Sequence, residues 1–106
     1  MDKKIVLGII SRFRRAVESR GIKITKLILF GSYASGIYRK GSDIDVVVVS
    51  DDFAEKNYWE RIEILSDAIY ELFEPIEAIA VTSDEWERGT SPVTEYAKNG
   101  KLIYKA

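Results

Sequence analysis

The chain has no cysteine and no histidine among its 106 residues. Without thiols it can form neither disulfides nor thiolate metal sites. Without imidazole it lacks the commonest general base and the commonest zinc ligand. Acid–base chemistry is left to carboxylates, Lys or Tyr, and any bound metal must be a hard, oxygen-preferring ion. Glutamine is absent too, while Glu, Lys and Arg are abundant, a mildly thermophile-like usage. Charge of one sign is also missing. The 16 basic and 17 acidic residues leave a formal net charge of −1, so the basic excess of an extended nucleic-acid surface is not there. No apolar run approaches the roughly 20 residues that span a bilayer, and Met1-Asp2-Lys3-Lys4-Ile5 carries no signal-peptide pattern. The expected location is the cytoplasm.

What is present suits a soluble globular fold: 46% of residues are hydrophobic and 31% charged. The length sets one domain over residues 1–106 and a modest core. It leaves little material for a separate substrate-binding domain, so part of any acceptor site is expected from a partner.

Asp2 is placed to cap a helix running to about Arg20, with Ile5, Val6, Ile9, Ile10, Phe13 and Val17 as its apolar stripe. The basic run Arg12 to Arg15 reads as a solvated face, with phosphate or acidic-partner binding as the alternative. Gly21 is a natural stop. A strand is expected from Lys26 to Phe30, ended by Gly31-Ser32, then one helical turn closed by Gly36. A loop with Tyr38, Arg39, Lys40 and Gly41 leads to a second strand, Asp43 to Val49. Its four consecutive valines suggest a central strand covered on both faces.

Ser50-Asp51-Asp52 is expected to cap a helix from about Phe53 to Phe73, with Tyr58, Trp59, Ile62, Leu65, Ile69, Leu72 and Phe73 at helical spacing. Pro75 breaks it, and Ile76 to Thr82 reads as a third strand. A short helical stretch near Glu85 to Arg88 follows. Ser91-Pro92 then reads as cap and first position of a last helix. Leu102-Ile103-Tyr104 is either a final strand or a packed tail. Tyr58, Trp59, Trp86 and Tyr96 are expected mainly in the core, with an interface as the alternative.

Two constellations carry chemistry. Asp43 and Asp45 stand two apart on a strand, hence on one face and about 7 Å apart along it. Val47 and Val49 continue that face, so the carboxylates sit at its rim. Such a pair can hold a hard cation, although Asp-x-Asp alone more often marks a polar strand start. Gly31-Ser32 lets an anion approach backbone amides at a helix start, with a hydroxyl alongside. A side chain at position 31 is expected to fill that phosphate seat. Alone, Gly-Ser is more often a plain turn. If the two strands are neighbours, both devices meet at one end of the sheet.

Leu29-Phe30-Gly31-Ser32, ten further residues, then Asp43-Ile44-Asp45-Val46 resembles the signature of the DNA polymerase β nucleotidyltransferase superfamily, in particular its minimal nucleotidyltransferase (MNT) branch. The resemblance covers most of the chain. It implies an α/β (α+β) fold, a small mixed sheet flanked by helices. It implies that Gly31 and Ser32 hold the terminal phosphates of a nucleoside triphosphate and that Asp43 and Asp45 coordinate two magnesium ions. It also implies a third carboxylate, usually aspartate, on a later strand. Asp51 is too far along its strand, and Glu74 precedes Pro75. Glu77 opens an otherwise apolar strand, as Asp43 and Asp45 do, and is the expected third catalytic and metal-binding group.

Glutamate is one methylene longer than the family's usual aspartate. Ser35 stands where many relatives carry arginine, and Arg39 or Lys40 either supply that charge or belong to a solvated loop. The implied reaction is magnesium-dependent transfer of AMP from ATP to a hydroxyl of a partner protein. The implied partner is a helical HEPN-type toxin silenced by this antitoxin. A homo-oligomer stays open. The runner-up is a module of the same fold that binds a nucleotide or partner without catalysis.

Overall fold

The computed structural model describes residues 2–39, 41–89 and 92–106, with Val93 described by its backbone alone. The Asp2 carboxylate accepts a hydrogen bond from the Ile5 amide at 2.9 Å and starts helix α1, Lys3–Glu18. Val6, Ile9, Ile10, Phe13 and Val17 are buried, joined by Ala16. Ile5 departs from expectation and is 51% exposed. At 100° per residue it lies roughly a quarter turn from the centre of the buried stripe.

Strand β1 is Lys26–Phe30 and strand β2 is Ile44–Val49, with helix α2, Gly31–Ser35, just after β1. Gly36 closes α2 in the left-handed conformation, at φ 81°. Asp43 therefore lies just before β2 rather than within it.

The expected helix from Phe53 is corrected. Ser50 Oγ accepts from the Asp52 amide and caps only a 3-10 turn, Asp51–Phe53. Phe53 is fully buried and pins the chain there. Helix α3, Tyr58–Leu72, begins afresh with a capping box between Asn57 and Glu60. Only Leu65 and Ala68 of α3 are fully buried, and Tyr58, Trp59, Ile62 and Phe73 are exposed. Leu65 and Ala68, with the half-buried Ile64, Ile69 and Leu72, make the contact with the core, and the outer apolar positions of the expected stripe are not used.

Strand β3, Ile76–Val81, pairs with β2 in parallel, which requires a crossover of helical length, and α3 supplies it. Thr82 belongs to a capping box that starts helix α4, Ser83–Arg88. Helix α5 is Pro92–Ala97. The expected Ser91 cap lies outside the described residues, as does Lys40. Strand β4, Lys101–Lys105, pairs antiparallel with β1, so the tail is a strand.

The sheet order is β3-β2-β1-β4, mixed, with β1 antiparallel to both neighbours. One face, including Leu27, Leu29, Ile44, Val46 and Val48, joins the core under α1 and α3. The other, with Ile28, Phe30, Val47, Val49 and Val81, packs against Ala97 and Trp86. The central valine strand is thus covered on both faces. The second covering is made by two six-residue helices, so it leaves one end of its face open. Among the described residues no helix is long and apolar enough to cross a membrane.

Candidate active site

The strand directions bring the end of β1 beside the starts of β2 and β3. Phe30 is in register with Asp45, and Asp45 with Glu77. Asp45 and Glu77 are therefore neighbours on adjacent strands, whose spacing is about 4.8 Å. Their side chains lie on the thinly covered face, at its open end. Their carboxyl groups are close enough to perturb one another.

That pair is electrostatically tense. The Asp45 carboxyl is pushed up from 3.8 to about 6, first by burial, then by the hydrogen bond with Glu77, then by the charges of Glu77 and Asp43. Each cause disfavours a second negative charge at the same place. Asp43 itself is exposed at the lip of the loop and is felt at Asp45 through its charge. Among the described residues no three carboxylates are gathered tightly enough to enclose an ion. The structure thus brings Asp45 and Glu77 together and leaves Asp43 at the rim.

Gly31 is tied to Asp45 more closely than the sequence suggests. It has φ +72°, a region that L side chains rarely adopt, and a Cβ built on it would overlap the Asp45 carboxylate oxygen. Beside the expected reason for glycine, an open phosphate seat, stands a second: the first thing a side chain meets is the Asp45 carboxylate. Ser32 follows at the start of α2 and lines, with Gly31 and Asn99, a cleft of about 360 Å³. Asp45 and Glu77 line a second cleft of about 370 Å³. A larger cavity of about 540 Å³ lies on the α3 side of β3, lined by Tyr58, Arg61 and Leu65. It holds none of these groups, so chemistry rather than volume locates the site.

Other candidates resolve into structure. Asp51 Oδ1 accepts from the Ser83 amide at 3.1 Å, at the far end of the strands. Glu74 pairs with Arg12 at 2.8 Å. Ser35 Oγ donates to the Ser32 carbonyl at 3.2 Å, a local contact within α2. The Arg39 amide donates to Ser42 Oγ at 2.9 Å, and the Ser42 amide returns a bond to the Arg39 carbonyl at 3.0 Å. This tight turn leads through Asp43 to Ile44, the first residue of β2. Tyr96, read from the sequence as core or interface, instead stands beside both clefts. Its signal was its place on a helix too short to bury every apolar position.

The donor set fits a hard divalent cation: oxygen ligands only, with Asp45 and Glu77 on adjacent strands. A cation there would offset both the burial and the neighbouring negative charges that raise the Asp45 carboxyl.

Three similarities can be set beside this geometry. A protein of Methanocaldococcus jannaschii, named a "putative protein adenylyltransferase", is 31% identical over 72 residues, 67% of this chain and 48% of its own length. The chain thus spans about half of that relative. A solved "putative nucleotidyltransferase" from Sulfolobus solfataricus superimposes with a TM-score of 0.72 at 25% identity, over 94% of this chain and 80% of its own. A chain from the Shewanella oneidensis complex of tri-AMPylated HEPN toxin with MNT antitoxin gives a TM-score of 0.59 at 20% identity. That superposition covers 99% of this chain and 74% of the other, and it shows a shared fold. The family model for the nucleotidyltransferase domain matches residues 10–103. The chain belongs to the nucleotidyltransferase domain family.

Proposed function

We propose that this chain transfers AMP from ATP to a hydroxyl group of a partner protein, in a magnesium-dependent reaction. The observation that carries the reading is the Asp45–Glu77 carboxyl pair held against Gly31, with Ser32 next in sequence. Gly31 and Ser32 would seat the terminal phosphates. Asp45 and Glu77, with Asp43 at the rim, would hold the magnesium. When bound, magnesium offsets triphosphate charge and acidifies a hydroxyl.

The bond formed joins the acceptor oxygen to the α-phosphorus. The bond broken releases pyrophosphate. The acceptor proton passes to a carboxylate, and Glu77 is the more exposed of the pair and so the better placed to receive it. The chain's own residues thus orient the phosphates, concentrate negative charge for the cation and receive the proton.

A HEPN-type helical protein is the proposed partner. Its support is the fold shared with the Shewanella complex, whose toxin is AMPylated, and the naming of the Methanocaldococcus relative. The second reading, binding without catalysis, is favoured by one observation: glutamate at position 77, with the three carboxylates not gathered. One experiment separates them. The chain is incubated with magnesium, α-labelled ATP and a candidate HEPN-type partner protein. Label on that protein that disappears with Asp45→Asn or with chelator supports transfer. A stable complex that stays unlabelled supports the binding module.

A further inference from the structure

Tyr96 is left over from the fold and from the reaction. It is 69% exposed, so the core does not need its ring. The ring is nevertheless oriented. It meets Phe30 edge to face, with centroids 5.9 Å apart and planes at 82°. Phe30 is the residue in register with Asp45 and the residue before Gly31. Tyr96 therefore stands over the junction of the two halves of the site. It lines the carboxylate cleft with Asp45 and Glu77, and it also lines the cleft with Gly31 and Ser32.

The backbone beneath it is firmly seated. Ala97, next in α5, is fully buried, and Thr94 is 1% exposed. A Cβ on Gly100 would lie 2.5 Å from the Leu29 carbonyl oxygen, so the chain after α5 lies directly on β1. An exposed aromatic ring on a fixed helix, beside a phosphate seat, is suited to one kind of contact. A flat π-face stacks on any base, and a ring held in place loses little entropy in doing so.

We propose that Tyr96 is the stacking surface for the nucleobase of the bound nucleoside triphosphate. This rests on the nucleotide reading above. Tyr96 sets how tightly the nucleoside half is held, while Gly31, Ser32 and the carboxylates hold the phosphate half. Because its hydroxyl takes no part in stacking, phenylalanine replaces it and a non-aromatic side chain does not.

The test is calorimetric titration of the whole chain with two probes in magnesium buffer: a non-hydrolysable ATP analogue and inorganic tripolyphosphate. Tyr96→Phe, Tyr96→Leu and Tyr96→Ala are compared with the wild type, and thermal melts verify folding. The expected result is wild-type affinity for both probes in Tyr96→Phe. Tyr96→Leu and Tyr96→Ala should lose about tenfold or more for the ATP analogue and stay within about twofold for tripolyphosphate. Equal losses for both probes, or no loss for either, overturn the proposal. So does a loss in Tyr96→Phe that matches Tyr96→Ala. A wild-type chain that binds tripolyphosphate but not the ATP analogue leaves a phosphate site and removes the stacking surface. A wild-type chain that binds neither removes the nucleotide reading itself, and the stacking proposal with it.

Discussion

At the scale of single residues, Asp45 makes the most direct claim. Its folded-state value, about 6, lies above its ordinary 3.8. A carboxyl shifted in that direction binds protons more tightly in the folded chain. Its stabilising contribution is full below 3.8 and is lost as pH rises through about 6. The metal-free protein should therefore melt at a lower temperature at pH 7.5 than at pH 5. Asp45→Asn should flatten that difference, and magnesium should restore stability at pH 7.5 in the wild type alone. Melting curves across pH, with and without magnesium, check all three. Gly31 makes the second claim. Gly31→Ala places a Cβ against the Asp45 carboxylate at φ +72°. It should cost about 1 kcal/mol or more in stability and abolish magnesium-dependent nucleotide binding. Ser32→Ala removes only a hydroxyl and should weaken binding less. A folded Gly31→Ala variant with wild-type affinity would take Gly31 out of the site.

At the scale of elements, the helix ends decide more than the helix bodies do. The Asn57–Glu60 and Thr82–Glu85 boxes place α3 and α4, and Arg61 joins the two through Glu85 at 2.7 Å. Burial pushes the Glu85 carboxyl up, but the bonds from Arg61 and Thr82 outweigh it and hold the group below its usual range. The C-terminus of α3 is the element's weak end. Phe73 caps it at φ 53°, the only non-glycine residue with positive φ among those described, and is 84% exposed. A left-handed conformation costs an ordinary residue about 1–2 kcal/mol, and the exposed ring recovers little beyond its contact with Tyr70. Phe73→Gly should therefore raise stability by about 1 kcal/mol, or about 4–8 °C in Tm for a domain of this size. Denaturant melts measure it, and a lower Tm would show that the Phe73 ring supports α3 after all.

At the scale of the whole molecule, two long helices cover one face of the sheet and two short ones cover part of the other. Stability is concentrated on the first side and chemistry on the second. Phe13→Ala, at a site with no exposure on the thick side, should cost about 3–5 kcal/mol of a total of about 5–15. The urea midpoint should fall with little change in slope. The amino-acid sequence alone determined that β1 ends on Gly31-Ser32, that the valine strand is central and that carboxylates flank the start of β2. Period-two alternation and glycine punctuation are local physics, readable without partners. Its apolar spacing also found the buried stripe of α1, because that stripe is continuous. The start of α3 and the exposure of Tyr58 and Trp59 escaped it. Periodicity marks which positions can be buried, and only the packed neighbours decide which ones are. Pairing belonged to the tertiary structure as well. The register that sets Asp45 beside Glu77, and Gly31 against Asp45, joins residues far apart in the chain. No spacing in the sequence encodes those distances, because they exist only once the strands lie side by side.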